Sequence, residues 1–132
     1  MSEMAPGLTG ERTLIVEETH TAKHLGSGGL SVYATPMMVL HMEEAAHSAV
    51  APLLPPGSST VGASLEIRHL APTAVGSRVT ARAELVKVDG RMLTFKVEAF
   101  DEAGKIGEGA HVRAVIDIER FSAKLRARTS PR

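Results

Sequence analysis

The sequence predicts an α+β domain in which one long central helix is wrapped by a curved antiparallel sheet. Three observations carry this. Helical periodicity is clearest over Pro36–Leu54, where the apolar perimeter is too wide for a single packing stripe; the chain beyond it reads as strands; and the turn signals Asp89-Gly90 and Asp101–Gly104 fold those strands back on one another. At 132 residues the chain builds one core and no second ordinary domain, so 1–132 reads as a single domain whose last residues, 121–132, form a basic tail.

In chain order, Arg12–Thr19 (R-T-L-I-V-E-E-T) is short and β-branched, the mark of a first strand. Residues His20–Leu30 carry Gly26, Gly28 and Gly29, which limit helix to a single turn over Thr21–Leu25. Thr35 and Pro36 then suit a helix start, because threonine caps and proline sacrifices no hydrogen bond in the first turn. On that helix His41, Glu44 and Ser48 fall on one polar side, while Met38, Val39, Met42, Ala45, Ala46, Ala49 and Val50 occupy most of the rest. Pro52 and Pro55-Pro56-Gly57 end it.

Ser59–Leu70 is the next strand. Arg78–Val88 and Arg91–Phe100 flank Asp89-Gly90 as a hairpin, with Leu93, Phe95, Val97 and Ala99 on one face, and Lys105–Glu119 follows the Asp101–Gly104 turn. A sheet that shields one helix on most sides must curl around it, which is a hot-dog-like arrangement. Such a protomer leaves sheet edges open, so a homodimer or larger homo-oligomer, paired edge to edge, is expected.

Composition narrows the function. Fifteen Lys+Arg balance fifteen Asp+Glu, and aromatics are limited to Tyr33, Phe95, Phe100 and Phe121, so neither nucleic acid nor a membrane surface is an expected partner. The chain has no Cys, which excludes thiolate nucleophiles and Cys-ligated metal and fits a reducing cytoplasm. No secretory leader and no eighteen-residue apolar run is visible, so the expected location is cytoplasmic.

Glu43 is the residue that most demands a role. It lies on an apolar arc of the helix, whereas Glu44 faces outward; a carboxylate so placed is paired, for instance with His47 one turn on, or employed in chemistry. His69 stands at a strand end before Pro72, where an imidazole suits proton transfer near neutral pH. Thr35 brings a hydroxyl to the helix mouth, either as a plain cap or as a functional group. Met38, with Met37 and Met42, suits an adaptable acyl pocket or ordinary core, and Arg113 suits an ion pair or a ligand. His20 and His24 have helical metal spacing but lack a third ligand, and there is no G-x-S-x-G elbow.

These runs together have a familiar order. Thr21-Ala-Lys-His-Leu-Gly-Ser-Gly-Gly, then Val32-Tyr-Ala-Thr-Pro-Met-Met-Val-Leu-His-Met-Glu-Glu-Ala-Ala, then Val61-Gly-Ala-Ser-Leu-Glu-Ile-Arg-His-Leu-Ala-Pro, and finally Ile106-Gly-Glu-Gly-Ala-His-Val-Arg-Ala-Val-Ile resemble hot-dog thioesterases of the fluoroacetyl-CoA thioesterase-like group, over nearly the whole chain. The resemblance implies an acyl-CoA thioesterase that cleaves a small acyl-CoA to free acid and coenzyme A, with Thr35, Glu43 and His69 as the catalytic set. It further implies Gly62 and Arg113 beside the substrate, with Tyr33 and Met38 as added candidate contacts. No metal or other cofactor is implied; coenzyme A enters as part of the substrate, and Arg68 or Lys124 are candidates to meet its phosphates. The group's longer, Phe-bearing lid before the threonine has no counterpart here, where Gly28-Gly-Leu-Ser leads directly to Val32. A non-catalytic hot-dog dimer that binds acyl-CoA or another small ligand is the alternative.

Overall fold

The computed structural model describes residues 4–129. In chain order it contains β1 (Thr9–Ile15), a single helical turn α1 (Ala22–Leu25), the long helix α2 (Thr35–Val50), then β2 (Ser58–His69), β3 (Arg78–Asp89), β4 (Met92–Asp101), β5 (Gly104–Asp117) and a final helix α3 (Ile118–Thr129). The strands form one antiparallel sheet in the order β1-β3-β4-β5-β2. No helix among the described residues is long and apolar enough to cross a membrane.

The core lies between α2 and the concave face of the sheet. Met38, Met42, Ala45, Ala46 and Val50 of the helix are fully buried against Val79, Ala81, Ala83 and Leu85 of β3 and Leu93, Phe95, Val97 and Ala99 of β4. Small residues bring the backbones close: a Cβ on Gly10 of β1 would overlap the carbonyl oxygen of Ala45. The predicted alternation of β4 is therefore realised in full, and its inward face is a main wall of the core.

Several boundaries move. The first strand runs Thr9–Ile15 rather than Arg12–Thr19, because its ladder to β3 already begins at Thr9, while Val16 turns into the core and Glu18–His20 form a 3-10 turn. Thr35 is not a cap: Ala34 holds the cap position and Thr35 is the first helical residue, its hydroxyl released for other use. Ala51–Leu53 continue α2 as a 3-10 turn around Pro52. The hairpin turn sits at Gly90–Arg91, one residue later than predicted, with φ of +60° at Gly90 and no positive φ at Arg91, the pattern of a type II′ turn. The basic tail is helical through Thr129.

His41 is the clearest departure on α2. Placed by periodicity with Glu44 and Ser48 on the polar side, it is instead 2% exposed, because the Tyr33 hydroxyl reaches its Nδ1 at 2.5 Å and the two rings stack. The edge of the His20 ring closes over it. β2 carries one irregularity, a bulge between Gly62 and Ser64 in its ladder to β5.

Candidate active site

At the mouth of α2, a cavity of about 380 Å3 is lined by Val32, Tyr33, Thr35, His69, Leu70 and Pro72, among others. Thr35 begins α2 and His69 ends β2, so two element termini meet here. Each is tied down by backbone: Tyr33 N–H donates to Thr73, Ala34 N–H to His20, and Leu70 N–H to Ile106. The Thr35 hydroxyl lies 2.7 Å from Nδ1 of His69. Burial holds the His69 pKa below the ordinary imidazole range, with a backbone interaction at Ala71 opposing the shift, so the ring is neutral at pH 7. Its Nε2 is buried with no hydrogen-bond partner among the described residues.

Tyr33 lines the same cavity while its hydroxyl is turned to His41. Burial raises the Tyr33 pKa and pushes that of His41 down to about 4, so the pair is a neutral hydrogen bond.

The second group surrounds Glu43, midway along α2. A Cβ on Gly62 would lie 3.1 Å from Glu43 Oε2 and 3.5 Å from the His111 ring, so a larger residue would crowd the carboxylate and push it from this position. Arg113 Nη1 stands 3.9 Å from the same oxygen. The guanidinium is held on its other sides: Nε–H donates to the Thr60 hydroxyl at 2.9 Å, Nη2–H to the Thr60 carbonyl at 3.1 Å, and Nη1–H to His111 Nε2 at 3.0 Å. Because His111 accepts at Nε2, its proton is on Nδ1, which donates to the Ser64 carbonyl at 2.9 Å. Burial lowers the His111 pKa and keeps this tautomer uncharged.

In the single chain the Glu43 side chain is 37% exposed against 44% for Glu44, so burial alone does not separate the two. What does is the company: Glu44 meets the exposed Arg12, whereas Glu43 faces the nearly buried Arg113. His47 does not pair with Glu43 one turn away but with the Thr60 hydroxyl at 2.6 Å.

The structure thus brings Thr35 together with His69 and Tyr33, and Glu43 together with Gly62 and Arg113, and it keeps the two groups apart. Eight residues of helix separate Thr35 from Glu43, about 12 Å at the α-helical rise, and they line different cavities. Met38 is fully buried and packs on Gly107, where a Cβ would lie 2.5 Å from its sulfur, so it is core and lines neither cavity. The amides of Met37 and Met38 both donate to Ala34 and offer no free anion site at the helix mouth. His20 Nδ1 accepts from Glu17, and among the described residues no three His, Asp or Glu gather as a metal-ligand set.

The sequence reading missed His111 and Thr60, and named His47 only as a partner for Glu43. The alternation of β5 did carry a signal, since it put His111 and Arg113 on one face with the small Gly107 and Gly109. Two polar residues on the inward face of a half-buried strand must find partners.

Comparison with known proteins identifies the family and the fold. Residues 16–119 match the family of the fluoroacetyl-CoA-specific thioesterase FlK. A fluoroacetyl-CoA thioesterase of Streptantibioticus cattleyicolor is 46% identical over 98 residues, 74% of this chain and 70% of that one. A solved structure of the fluoroacetyl-CoA thioesterase FlK superposes with a TM-score of 0.88 at 38% identity, covering 97% of this chain and 98% of the other. A thioesterase superfamily member of Thermus thermophilus gives 0.89 at 31% identity, covering 96% and 94%. A hot-dog-like protein from Thermanaerovibrio acidaminovorans gives 0.89 at 23% identity, covering 96% and 94%, a likeness of fold. With more than half of its length matched by the family and its fold shared with the solved relatives, this hot-dog chain belongs to the fluoroacetyl-CoA-specific thioesterase family.

Proposed function

We propose that the chain hydrolyses small acyl-CoA thioesters to the free acid and coenzyme A, at a site shared between two copies. The observation that carries the chemistry is the 2.7 Å contact of the Thr35 hydroxyl with a neutral, partly buried His69, both lining one cavity. In this reading Thr35 O–H donates to Nδ1, and His69 takes that proton as Thr35 Oγ1 attacks the thioester carbonyl. As the tetrahedral intermediate collapses, the C–S bond breaks and the departing sulfur receives the proton; water, activated by the same imidazole, then cleaves the acyl-threonine.

Glu43 supplies the fixed negative charge of the reaction, oriented by Arg113 and given room by Gly62. Since Thr35 and Glu43 of one chain line different cavities, the carboxylate comes from a second copy. β2 supports this: it is an outermost strand of twelve residues with Gly62–Glu66 exposed, an open ladder suited to antiparallel pairing with itself. Pairing centred on Ser64 sets residue 62 of one copy against residue 66 of the other, bringing the Glu43 group of one toward the His69 end of its partner. A cytoplasmic homodimer that needs no metal or other cofactor completes the reading.

The test follows free-thiol release over a panel that includes acetyl-CoA and fluoroacetyl-CoA, with Thr35→Ala, Glu43→Ala and His69→Ala alongside. Each variant alone is expected to be nearly inactive, and mixed Glu43→Ala/His69→Ala dimers to regain part of the activity because one of their two sites is intact. Binding of acyl-CoA without turnover would favour a non-catalytic binding dimer; no regain in mixed dimers would place both groups in one chain.

A further inference from the structure

We propose that the cleft between α3 and the adjoining ends of β2 and β5 binds the phosphates of the coenzyme A nucleotide. The identity of the ligand rests on the thioesterase reading above; the cleft itself rests on its own residues. It encloses about 330 Å3 and is lined by Ser58, Arg91, Asp117, Arg120, Phe121 and Lys124, with backing from β5.

Its three cations come from two elements. Arg120 and Lys124 lie one turn apart on the same face of α3, and Arg91 projects from the β3–β4 turn, its carbonyl anchored by the Val115 amide at 2.8 Å. Arg12, Arg68, Lys105 and Arg113 each face a carboxylate, whereas among the described residues none of these three is ion-paired. The one acid lining the cleft, Asp117, accepts the backbone N–H of Arg120 at 2.9 Å and so is tied to the helix start. Three cations against one carboxylate leave the cleft net positive, and a multiply charged anion lowers that repulsion while gaining charge-assisted hydrogen bonds. The half-exposed Phe121 ring adds a flat apolar surface of the kind on which a nucleobase stacks.

The position fits the substrate. Ser58 pairs with Asp117 and Gly62 with Arg113, so the cleft lies four rungs along the β2–β5 ladder from the Glu43 group, about 13 Å at the strand rise. A pantetheine arm bridges a gap of that order, with thioester at one end and pyrophosphate at the other. Arg68 is a poorer candidate, because its guanidinium is engaged by Glu108. Three cations match the pyrophosphate and 3′-phosphate of coenzyme A better than the lone phosphodiester of a carrier-protein thioester.

The experiment compares acetyl-CoA, 3′-dephospho-acetyl-CoA and acetyl-pantetheine as substrates of the wild type and of the Arg91→Ala/Arg120→Ala/Lys124→Ala variant, with coenzyme A binding measured by calorimetry. The wild type is expected to prefer acetyl-CoA through KM, and the variant to lose that preference by roughly tenfold for each strong phosphate contact removed, with coenzyme A binding weakened in parallel. An unchanged preference for acetyl-CoA over acetyl-pantetheine, with unchanged coenzyme A binding, overturns the cleft assignment. Should the wild type cleave none of the three, the thioesterase reading fails, and calorimetry alone decides the cleft. If the triple variant does not fold, Arg120→Glu and Lys124→Glu taken singly carry the same comparison.

Discussion

Arg113 is joined to Thr60 twice, through Nε–H to the hydroxyl at 2.9 Å and through Nη2–H to the main-chain carbonyl at 3.1 Å. The same hydroxyl meets His47 Nδ1 at 2.6 Å, so one side chain on β2 sets the guanidinium that faces Glu43. Thr60→Val keeps the shape but leaves a buried guanidinium N–H and an imidazole nitrogen unpaired. The expected cost is about 1–3 kcal/mol of stability, seen as a lower Tm, together with a fall in kcat as Arg113 loses its set. Thr60→Ser restores the hydroxyl and should recover most of both.

His69 acts as a base only when neutral, and burial holds its pKa below the usual imidazole value. The acid limb of kcat/KM is therefore expected below pH 6.5, the rate rising with pH through that limb and levelling above it. His69→Ala should cut the rate by roughly 10²–10⁴ and abolish the limb, whereas Thr35→Ser should keep it. A limb centred at or above 6.5 in the wild type would contradict His69 as its source.

The buried Tyr33–His41 pair makes the fold acid-sensitive. His41 has a pKa of about 4 when folded and an ordinary one when unfolded, so its stabilising contribution is complete above pH 6.5 and declines as pH falls from there toward 4. Over that window the unfolded chain binds the extra proton, and the loss from this residue is about 3 kcal/mol. Tm measured against pH should fall less steeply in His41→Leu than in the wild type. His47, His69 and His111 contribute in the same direction, so the difference between the two curves isolates His41.

Two glycines separate function from folding. Alanine at Gly62 would stand 3.1 Å from the Glu43 carboxylate, the free end of a flexible side chain, so Gly62→Ala should lower kcat with little change in Tm. Alanine at Gly10 would meet the Ala45 carbonyl of α2, which has nowhere to move, and should cost about 1–3 kcal/mol. Thiol release and thermal melts on the two variants check both expectations.

Much of this was legible in the chain itself. Strict alternation over Leu93–Ala99 fixed the inward face of β4, and the apolar perimeter of α2 required a curved sheet. Thr35, His69 and Glu43 stood out as polar groups at element ends or on an apolar arc. Periodicity misplaced His41 because a helical wheel counts histidine as polar and cannot see a tyrosine hydroxyl arriving from the segment before the helix. It also gave no sign that Thr35 and Glu43 serve different cavities, since residues eight apart share a face of a helix yet lie more than two turns apart along it. Met38 was ambiguous for a plain reason: an acyl pocket and a core use the same side chain.

The bulge in β2 has a geometric consequence for all of these residues. Gly62 and His69 are an odd number of positions apart, and in an unbroken strand they would point to opposite sides of the sheet. The extra residue between Gly62 and Ser64 shifts the parity, so that Gly62 stands opposite Arg113 and His69 opposite Gly107, both on the helix side. Excising Ala63 would leave Gly62 and His69 six positions apart in a regular strand, still on one side, whereas keeping every residue and losing the bulge would turn the imidazole away from Thr35. By absorbing one surplus amino acid, the bulge is thus the phase correction that keeps both halves of the site in the same plane of reference.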